Sequence, residues 1–398
     1  MQGDPPLGER CTPRGAHGGP QGDRPDRRGE PRDGVGSLRV ASRRHHASAP
    51  DALGDRRRGG SRVDRSFGEL LVRDLPIFGQ PAPATERRHP DWIRSKVPGG
   101  DRYRELKRLM RDKSLNTVCE EARCPNIGEC WEQGTATVMI LGDTCTRACG
   151  FCAVKTGRPA TLDRDEPRRV AEALASLDLD HVVITSVARD DLADGGAAIF
   201  AESIRELRRL APGTGIEVLI PDFDGEDAPL RAVMEAAPDI LDHNLETVER
   251  LQRPVRKRAR YDRSLQVLAR AKAMARELGN PVHTKSSIMV GLGESHDELL
   301  AAFRDLRAVD CDILTIGQYL RPSMEHLPLE RYYTPEEFAA LRREALAMGF
   351  RHVESGPLVR SSYHARDQVP TDSPALRGRR ARDVRTVGEP DSTRGIVA

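Results

Sequence analysis

The 398-residue sequence lacks any uninterrupted run of about 18 apolar residues, the length that a membrane-spanning helix needs. Its amino terminus also lacks the apolar core of a secretion signal, so we expect a cytoplasmic chain. Disulfide bonds are rare in that compartment, because thiols there are kept reduced. The eight cysteines are therefore candidates for metal binding rather than for cross-links.

The sequence also lacks an excess of charge of either sign. Lys and Arg number 63 against 61 Asp and Glu, which gives a formal net charge of +2. Such a balance does not point to nucleic acid as a partner of the whole chain, because binding to nucleic acid relies on an excess of positive charge. Overall charge thus leaves the function open.

Periodic apolar positions are missing from the first 87 residues. Arg, Gly, Pro and Asp dominate this segment, in runs such as GDRPDRRGEPRDG, so it cannot bury enough surface to offset its ordering entropy. We interpret 1–87 as a disordered leader or as the product of a misassigned start codon, with a basic arm for nucleic acid as the alternative. Cys11 lies in this leader and is not expected to bind metal. A disordered tail is predicted over 371–398.

Strand-like and helix-like patterns alternate after residue 136. The six β-rich runs are 137–143, 181–188, 215–222, 239–246, 281–291 and 311–320, and helical patterns lie at 166–178, 196–211, 264–279 and 295–309. This alternation predicts an α/β fold with right-handed crossovers, and six units predict an open, partial (β/α)6 TIM-like barrel over 137–350. A flat doubly wound sheet is the alternative. In both arrangements ligands bind at the carboxyl ends of the strands.

Six of the eight cysteines lie within a window of 34 residues and form two sets of three. CTRACGFC, directly after the first predicted strand, contains Cys145, Cys149 and Cys152, and CEEARCPNIGEC, before that strand, contains Cys119, Cys124 and Cys130. A structural zinc site needs four protein ligands, whereas neither set has a fourth cysteine. A cubane iron-sulfur cluster held by three thiolates leaves one iron open for a ligand. A zinc loop completed by a distant His or by Cys311 is the alternative.

The loop CTRACGFC resembles the signature of the radical S-adenosylmethionine enzymes, with Phe151 at the aromatic position. In that superfamily the three thiolates hold a 4Fe-4S cluster whose open iron binds the methionine part of S-adenosylmethionine. Reduction of the cluster then cleaves the cofactor to a 5′-deoxyadenosyl radical. The superfamily's strand pattern G-x-I-x-G-x-x-E is matched only in part, because Ser287 and Met289 depart from it while Gly291 and Glu294 are kept.

The second cysteine set resembles the lipoyl synthase family, in which a C-x4-C-x5-C array holds an auxiliary 4Fe-4S cluster. RSSY at 360–363 is similar to that family's C-terminal motif, whose serine, here Ser362, supplies the fourth iron ligand. The resemblance covers about residues 88–370. It implies an N-terminal extension, 88–136, and a C-terminal segment, 351–370, that together complete the auxiliary site. A serine oxygen is harder than a thiolate and binds a soft iron-sulfur centre less durably, so it can leave when the cluster opens.

The resemblance implies an enzyme that inserts two sulfur atoms, at C6 and C8, into an octanoyl group linked to a lysine of a lipoyl carrier protein. The auxiliary cluster would donate the sulfur, and two molecules of S-adenosylmethionine would supply the radicals. Unactivated methylene groups have no acidic proton, so a carbon radical rather than a general base has to start this reaction. The implied partners are octanoylated carrier proteins (2-oxoacid dehydrogenase E2 domains and the glycine cleavage H protein), a flavodoxin or ferredoxin reductant, and iron-sulfur assembly proteins. Neither nucleic acid nor a membrane is implied.

Residues in the loops after the predicted strands are candidates for binding S-adenosylmethionine. They are Phe151, Asp194, Gly195, Gly196, Asn244, Glu246, Gly291, Gly293 and Glu294. Glycine permits a close approach because it has no side chain, but each of these residues also has an interpretation as turn chemistry. Arg360 and Arg321 are candidates for positioning a carboxylate or for surface ion pairs. His243 either lines a substrate channel or is hydrogen-bonded within the structure.

Three other functions fit parts of these patterns. The first is a ferredoxin-like electron carrier, but ferredoxin clusters are fully ligated by thiolates, which sets of three cysteines do not provide. The second is another radical enzyme for sulfur insertion or methylthiotransfer, a group that lacks the paired array and RSSY as far as the resemblance goes. The third is a zinc-binding interaction module, which metal analysis would identify.

Overall fold

An eight-stranded sheet forms the centre of the computed structural model, which describes residues 89–95, 97–132, 135, 137–177 and 179–368. The strands are β1 (Asn116–Thr117), β2 (Thr137–Ile140), β3 (His181–Ser186), β4 (Gly215–Leu219), β5 (Ile240–Asp242), β6 (His283–Val290), β7 (Ile313–Gln318) and β8 (His352–Gly356). They lie in the sheet in chain order, and β2 to β8 are parallel while β1 is antiparallel to β2. Parallel neighbours in chain order are what repeated crossover connections produce.

Helices connect the strands and cover one face of the sheet. They are α1 (Asp101–Asp112), α2 (Val118–Glu121), α3 (Ile127–Glu132), α4 (Glu166–Ser176), α5 (Ala197–Leu210), α6 (Asp227–Glu235), α7 (Gln252–Val255), α8 (Tyr261–Leu278), α9 (His296–Ala308), α10 (Pro335–Ala347) and α11 (Ala365–Gln368). Within the described residues, 3-10 turns lie at Phe223–Gly225 and Glu249–Leu251. None of the helices in the described part of the chain combines the length and the hydrophobicity that a transmembrane span requires.

The α/β fold with a parallel, open sheet is confirmed. All six predicted strands are present, as β2 to β7, and the four predicted helices are α4, α5, α8 and α9. The sequence patterns did not predict β8, which is short, only partly buried and carries His352 and Glu354 among few apolar residues. They also did not predict β1, which has two residues. Within the described residues no strand pairing joins β8 to β1, so hydrogen bonds do not close the barrel.

The two faces of the sheet differ in chemistry. Val218 and Leu241 belong to one large apolar core together with helix residues such as Phe200. The opposite side, called the interior face here, carries the alternate residues Glu217, Asp242 and Lys285 of β4, β5 and β6, which are all fully buried. Their charges lie on the side of the sheet where a closed barrel would place branched apolar residues.

Loops after the parallel strands all lie at one edge of the sheet, because the strands point the same way. The N-terminal extension packs beside this sheet: Tyr103 of α1 contacts Trp131 of α3 with ring centroids 5.2 Å apart, and β1 pairs with β2. The predicted leader, the predicted tail and Cys11 lie outside the described residues. The remaining domain boundaries stay predictions.

Candidate active site

The loop of Cys145, Cys149 and Cys152 starts directly after β2 and is fixed by backbone hydrogen bonds. The Cys145 amide donates to the Lys155 carbonyl at 2.8 Å, and the Gly157 amide donates to the Cys145 carbonyl at 3.0 Å. Other amides join the loop to distant segments, since Gly150 donates to the Val255 carbonyl at 2.9 Å. The three thiols are therefore held at the carboxyl edge of the sheet.

The sulfur atoms of this loop lie in surroundings that suit bound metal. The Cys145 sulfur accepts the amides of Arg147 at 3.4 Å and Ala188 at 3.3 Å, and such donors stabilise a thiolate. Burial raises the pKa of Cys149 to about 11, although the charge of Arg256 acts in the opposite direction. Burial also raises the pKa of Cys152 to about 12. These two thiols are protonated at neutral pH without metal, so metal binding has to release their protons.

A buried cluster of charges positions the loop, and the sequence patterns did not single it out. Arg147, between the first two cysteines of the loop, donates to Asp190 Oδ1 at 2.7 Å and to Asp222 Oδ1 at 2.7 Å. Its side chain is 8% exposed and that of Asp222 is fully buried. Burial alone would raise the pKa of Asp222, but the hydrogen bonds and charge of Arg147 lower it to about 2. A single Arg in a loop produces no periodic pattern in the sequence, so its contacts with Asp190 and Asp222 become visible only in the folded structure.

The second cysteine set lies around a cavity. Residues from both ends of the described chain line it, namely Cys119, Cys124, Asn126, Ile127, Cys130, Thr135, Thr137, Arg360, Ser362 and Tyr363. The space among them is partly open to solvent. All four predicted auxiliary ligands are thus brought together, although more than 200 residues of sequence separate the cysteines from the serine.

Helices α2 and α3 set the positions of these cysteines. The Thr117 hydroxyl accepts the Glu120 amide at 3.3 Å and so caps α2, which carries Cys119. Burial raises the pKa of Cys119 to about 11, and the charge of Cys124 adds to the effect. Burial likewise raises the pKa of Cys130. As in the loop, thiols in this environment need a metal to become thiolates.

The C-terminal segment reaches the cavity because β7 lets it approach. A side chain at Gly317 of β7 would collide with the carbonyl of Val359, so only glycine leaves room for this segment. The Asn126 side chain then donates to the Leu358 carbonyl at 2.6 Å, which ties the segment to the N-terminal extension. These contacts place Ser362 on the cavity wall.

Glu246 and Arg360 are charged residues that influence cysteines of both sets. Glu246 influences the pKa of both Cys149 and Cys152, and it also faces the charge of Arg360. Arg360 in turn faces Cys124. Arg360 lines the cavity, and the carboxylate of Glu246 is near enough to the loop to raise the pKa of two of its cysteines. Arg360 thus belongs to the site rather than to a surface ion pair.

Asn244 and Glu246 follow β5 and are fixed to each other. The Asn244 amide donates to Glu246 Oε1 at 3.0 Å, and the backbone of Glu246 pairs with β6 at Ile288. Asn244 is buried, yet its side-chain oxygen has no hydrogen-bond partner among the described residues. A buried oxygen without a partner is what a ligand with a hydroxyl or amino group would satisfy.

The predicted glycine-rich residues mainly shape their own loops. Asp194 accepts the amides of Gly196 and Ala198 at 2.9 Å each and so holds the start of α5. Gly196 has a φ of +90°, and a side chain there would run into Leu141. Gly195 has a φ of +59° and faces Phe223. Hydrogen bonds and close contacts thus support the interpretation that these residues shape the turn. A direct role with the cofactor stays a prediction.

Glu294 closes the turn after β6. Its two carboxylate oxygens accept the amides of Gly291 at 2.6 Å and Leu292 at 2.9 Å. The φ of Gly291 is +103° and that of Gly293 is +97°, which side chains rarely tolerate. Both oxygens of Glu294 are engaged by this turn, so it would act on a cofactor by shaping the loop.

Four other residues have clear surroundings. Phe151 packs against the apolar group that contains Val255, Leu292 and Tyr319. His243 is buried with hydrogen bonds to the Ile220 carbonyl and the Ser264 hydroxyl, and burial lowers its pKa to about 4. Arg321 donates to the carbonyls of Met324 and His326 within its own loop. Cys311 is buried beside the start of β7, at the opposite edge from the cysteine loop, where it cannot complete a zinc site with that loop.

The donor chemistry fits iron-sulfur clusters at both places. Each site offers three soft thiols, which match the ligation of an iron-sulfur cluster by cysteine. The loop leaves a fourth position open, and the cavity adds a serine oxygen. In the cavity there is also space between the donors. The fit rests on the type of donor, because no three His, Cys, Asp or Glu side chains of the described residues are arranged to hold a metal ion.

The radical SAM superfamily model matches residues 139–306, and the model for the N-terminal domain of lipoyl synthase matches residues 81–124. The chain is 60% identical over 295 residues to lipoyl synthase of Symbiobacterium thermophilum, covering 74% of this chain and 91% of that protein. It is 58% identical over 302 residues to lipoyl synthase of Koribacter versatilis, covering 76% and 96%. The crystal structure of methylornithine synthase aligns with a TM-score of 0.40 at 16% identity, over 71% of this chain and 92% of that one.

Proposed function

The chain belongs to the lipoyl synthase family of radical S-adenosylmethionine enzymes, and from that premise we propose how its residues divide the reaction. The reaction inserts two sulfur atoms, at C6 and C8, into an octanoyl group carried on a protein lysine. Iron-sulfur clusters and S-adenosylmethionine, when bound, supply the 5′-deoxyadenosyl radical and the transferred sulfur. The chain's own residues hold these groups, orient the reacting methylenes and keep water away.

Cys145, Cys149 and Cys152 are assigned to the cluster that binds S-adenosylmethionine. Their loop supports this role because backbone hydrogen bonds and the Arg147 pairs hold it rigidly at the carboxyl edge. The loop provides three protein ligands and thereby leaves one coordination position for the cofactor. Two further amides donate to the Cys145 sulfur and would stabilise its ligating, anionic form.

Cys119, Cys124, Cys130 and Ser362 are assigned to a second, sulfur-donating cluster. One observation carries this proposal: the three cysteines and the serine line a single cavity although they come from opposite ends of the described chain. A hard oxygen donor gives the site one weak corner among three soft donors. That asymmetry suits a cluster that has to open in every turnover.

Asn244, Glu246 and Arg360 are assigned to the space between the two sites. The unpartnered oxygen of Asn244 can accept a hydrogen bond from the ribose or amino group of the cofactor. Glu246 acts on the pKa of two loop cysteines and Arg360 lines the cavity, so we assign to them the orientation of the substrate arm between the two sites. Positioning of this kind contributes strongly to rate.

Partners follow from the reaction. Octanoylated carrier domains, such as E2 domains and the glycine cleavage H protein, would present the substrate. A flavodoxin or ferredoxin would supply electrons, and iron-sulfur assembly proteins would rebuild the second cluster.

The test is anaerobic reconstitution of the full chain with iron and sulfide, followed by incubation with dithionite, S-adenosylmethionine and an octanoyl-lysine peptide. Mass spectrometry should detect the peptide with two added sulfur atoms, together with 5′-deoxyadenosine. Formation of 5′-deoxyadenosine with a peptide that is never thiolated would support another radical reaction. Formation of neither product would support the electron-carrier alternative.

A further inference from the structure

A basic segment beside the cysteine loop has no role in the reaction described above. Residues 252–260, QRPVRKRAR, contain five Arg or Lys and no Asp or Glu, in a chain whose charges otherwise almost cancel. Arg253, Lys257, Arg258 and Arg260 are exposed, whereas Arg256 is buried. This segment therefore presents positive charge without acidic residues of its own.

The segment is fixed directly against the cysteine loop. The Val255 carbonyl accepts the Gly150 amide at 2.9 Å, next to Cys149. Arg258 lies 3.3 Å from Asp190, the same carboxylate that binds Arg147 of the loop. The positive side chains thus have a defined position relative to the loop thiols.

Two other parts of the chain extend this surface. The residues that follow the cysteine loop add Lys155 and Arg158, which are both exposed. The segment 321–327 adds Met324, a large apolar residue that is 63% exposed. That segment is bound to the loop, because the Leu327 amide donates to the Gly150 carbonyl at 2.9 Å and a ring nitrogen of His326 lies 3.0 Å from the Cys152 carbonyl. We call these residues the basic surface: Arg253, Lys257, Arg258, Lys155, Arg158 and Met324.

Much of this charge is not used inside the protein. Arg253 and Lys257 form no ion pair within the described part of the chain, and Lys155 reaches Asp143 only at 3.6 Å with both side chains largely exposed. Exposed pairs of that kind contribute little to stability. Positive charge that is not needed for folding and is concentrated at one place acts on approaching molecules instead.

Reductive cleavage of S-adenosylmethionine consumes one electron each time, and that electron has to come from another molecule. Complexes that transfer electrons are short-lived, with small interfaces that rely on complementary charge for fast association. A basic rim around an exposed methionine, bonded to the loop of Cys149 and Cys152, has the features of such an interface.

We propose that the basic surface docks an acidic one-electron donor protein that reduces the cluster held by the cysteine loop. In this step the donor loses one electron and the cluster gains it, and no covalent bond of the chain changes. The inference rests on the proposed function, because only a cluster that is activated by reduction needs this donor.

The carrier protein is the other acidic candidate, and the structure favours the donor. The substrate arm has to reach the cavity of the second cysteine set, which Arg360 and Ser362 line. The basic surface is instead hydrogen-bonded to Gly150 and Cys152 of the loop. A donor seated there approaches one cluster only, which is what electron delivery requires.

The test compares the double variant Arg253→Glu/Lys257→Glu with the control Arg304→Glu/Arg343→Glu. The control makes the same change of charge at exposed positions in the later parts of α9 and α10, away from the loop. Reduction of the reconstituted protein is followed by stopped-flow absorbance, with fully reduced flavodoxin as the probe and with dithionite in parallel, at low and high salt.

With flavodoxin at low salt, the surface variant should be reduced more slowly by on the order of tenfold, and high salt should shrink the difference. Reduction by dithionite and the behaviour of the control should match the wild type. An unchanged flavodoxin rate, or an equal loss with both reductants, would overturn the proposal. A loss of turnover with whole carrier protein, but not with octanoyl peptide, would assign the surface to the carrier. Failure of the proposed function would differ from all of these, because the wild type would then not cleave S-adenosylmethionine even with dithionite.

Discussion

The two cysteine sites of this protein are built in opposite ways. The loop site is a single stretch of eight residues whose backbone bonds and Arg147 pairs tie it to the carboxyl edge of the sheet. The cavity site is assembled from two short helices near one end of the described chain and Ser362 near the other. A site within one loop depends on local geometry, whereas the second depends on docking of a chain segment. That difference suits one centre that persists through turnover and another that opens and is rebuilt.

Substitution of Ser362 should have the largest effect on one site while leaving the other site active. Replacing Ser362 with Ala removes the proposed oxygen ligand, so the dithiolated peptide should fall to background while 5′-deoxyadenosine persists. Ser362→Cys should keep the second cluster but slow the release of sulfur, because a thiolate is a softer and more durable ligand of iron. Mass spectrometry of the peptide, with iron analysis, measures both effects.

The neighbouring Ser361 provides the matched control for this experiment. Ser361→Ala removes the same hydroxyl one residue earlier and should leave both products near wild-type amounts. Loss of 5′-deoxyadenosine in Ser362→Ala would contradict the separation of the two sites.

Charged residues on the interior face contribute to the stability of the sheet without belonging to either cysteine site. Lys285 donates to Glu217 at 2.8 Å with both side chains fully buried, and Asp242 lies on the next strand without any hydrogen-bond partner among the described residues. Lys285→Met removes the buried cation and leaves Glu217 with His181 as its remaining partner, so it should lower the free energy of unfolding by about 3–5 kcal/mol. Guanidinium unfolding, followed by circular dichroism, measures this change.

An exposed ion pair serves as the control for the buried one. Arg231 and Glu277 lie 2.9 Å apart with side chains 37% and 61% exposed, so Arg231→Met should cost less than about 1 kcal/mol. Equal losses of unfolding free energy in the two variants would show that water reaches the interior pair.

Docking of the C-terminal segment can be weakened without touching a ligand. Gly317→Ala places a methyl group against the Val359 carbonyl, and the resulting overpacking should cost about 1–3 kcal/mol. The displaced segment should reduce the iron bound at the cavity site and leave the loop site intact. Gly356, the partner of Gly317 across the strand pair, is the control, because a side chain there would meet only Val359 Cγ2 at 3.4 Å. Equal iron loss from the two sites in Gly317→Ala would contradict the comparison.

Low pH should destabilise the surroundings of the loop site, because Asp222 then becomes protonated. The folded pKa of Asp222 is about 2, below its usual value of 3.8, so its stabilising ionisation is complete above about pH 5 and is lost as the pH falls through 2. The shift corresponds to about 2 kcal/mol at neutral pH. The stability difference between the cluster-free wild type and Asp222→Asn should therefore shrink between pH 5 and pH 2. A difference that stays constant over this range would mean that Arg147 does not hold the carboxylate ionised.

Local patterns predicted the strands and the cysteine sets, but not how distant segments meet. The six runs became β2 to β7 because branched apolar residues in short segments specify buried parallel strands. The approach of Ser362 to Cys119 could not be predicted from periodicity, since it depends on the absence of a side chain at Gly317, and only the family resemblance indicated it. Arg147 and Lys285 were missed because single charged residues have no pattern until neighbouring strands and loops bring their partners close.

The central claim is that two separate cysteine sites divide radical formation from sulfur donation. The most direct test reconstitutes two triple variants, one with Cys119, Cys124 and Cys130 changed to Ala and one with Cys145, Cys149 and Cys152 changed to Ala. Iron content and 5′-deoxyadenosine are then measured with dithionite and S-adenosylmethionine. We predict about four irons per chain in each variant, with 5′-deoxyadenosine formed only when the loop cysteines remain. Formation of 5′-deoxyadenosine by the variant that lacks the loop cysteines, or its absence from both, would contradict the account.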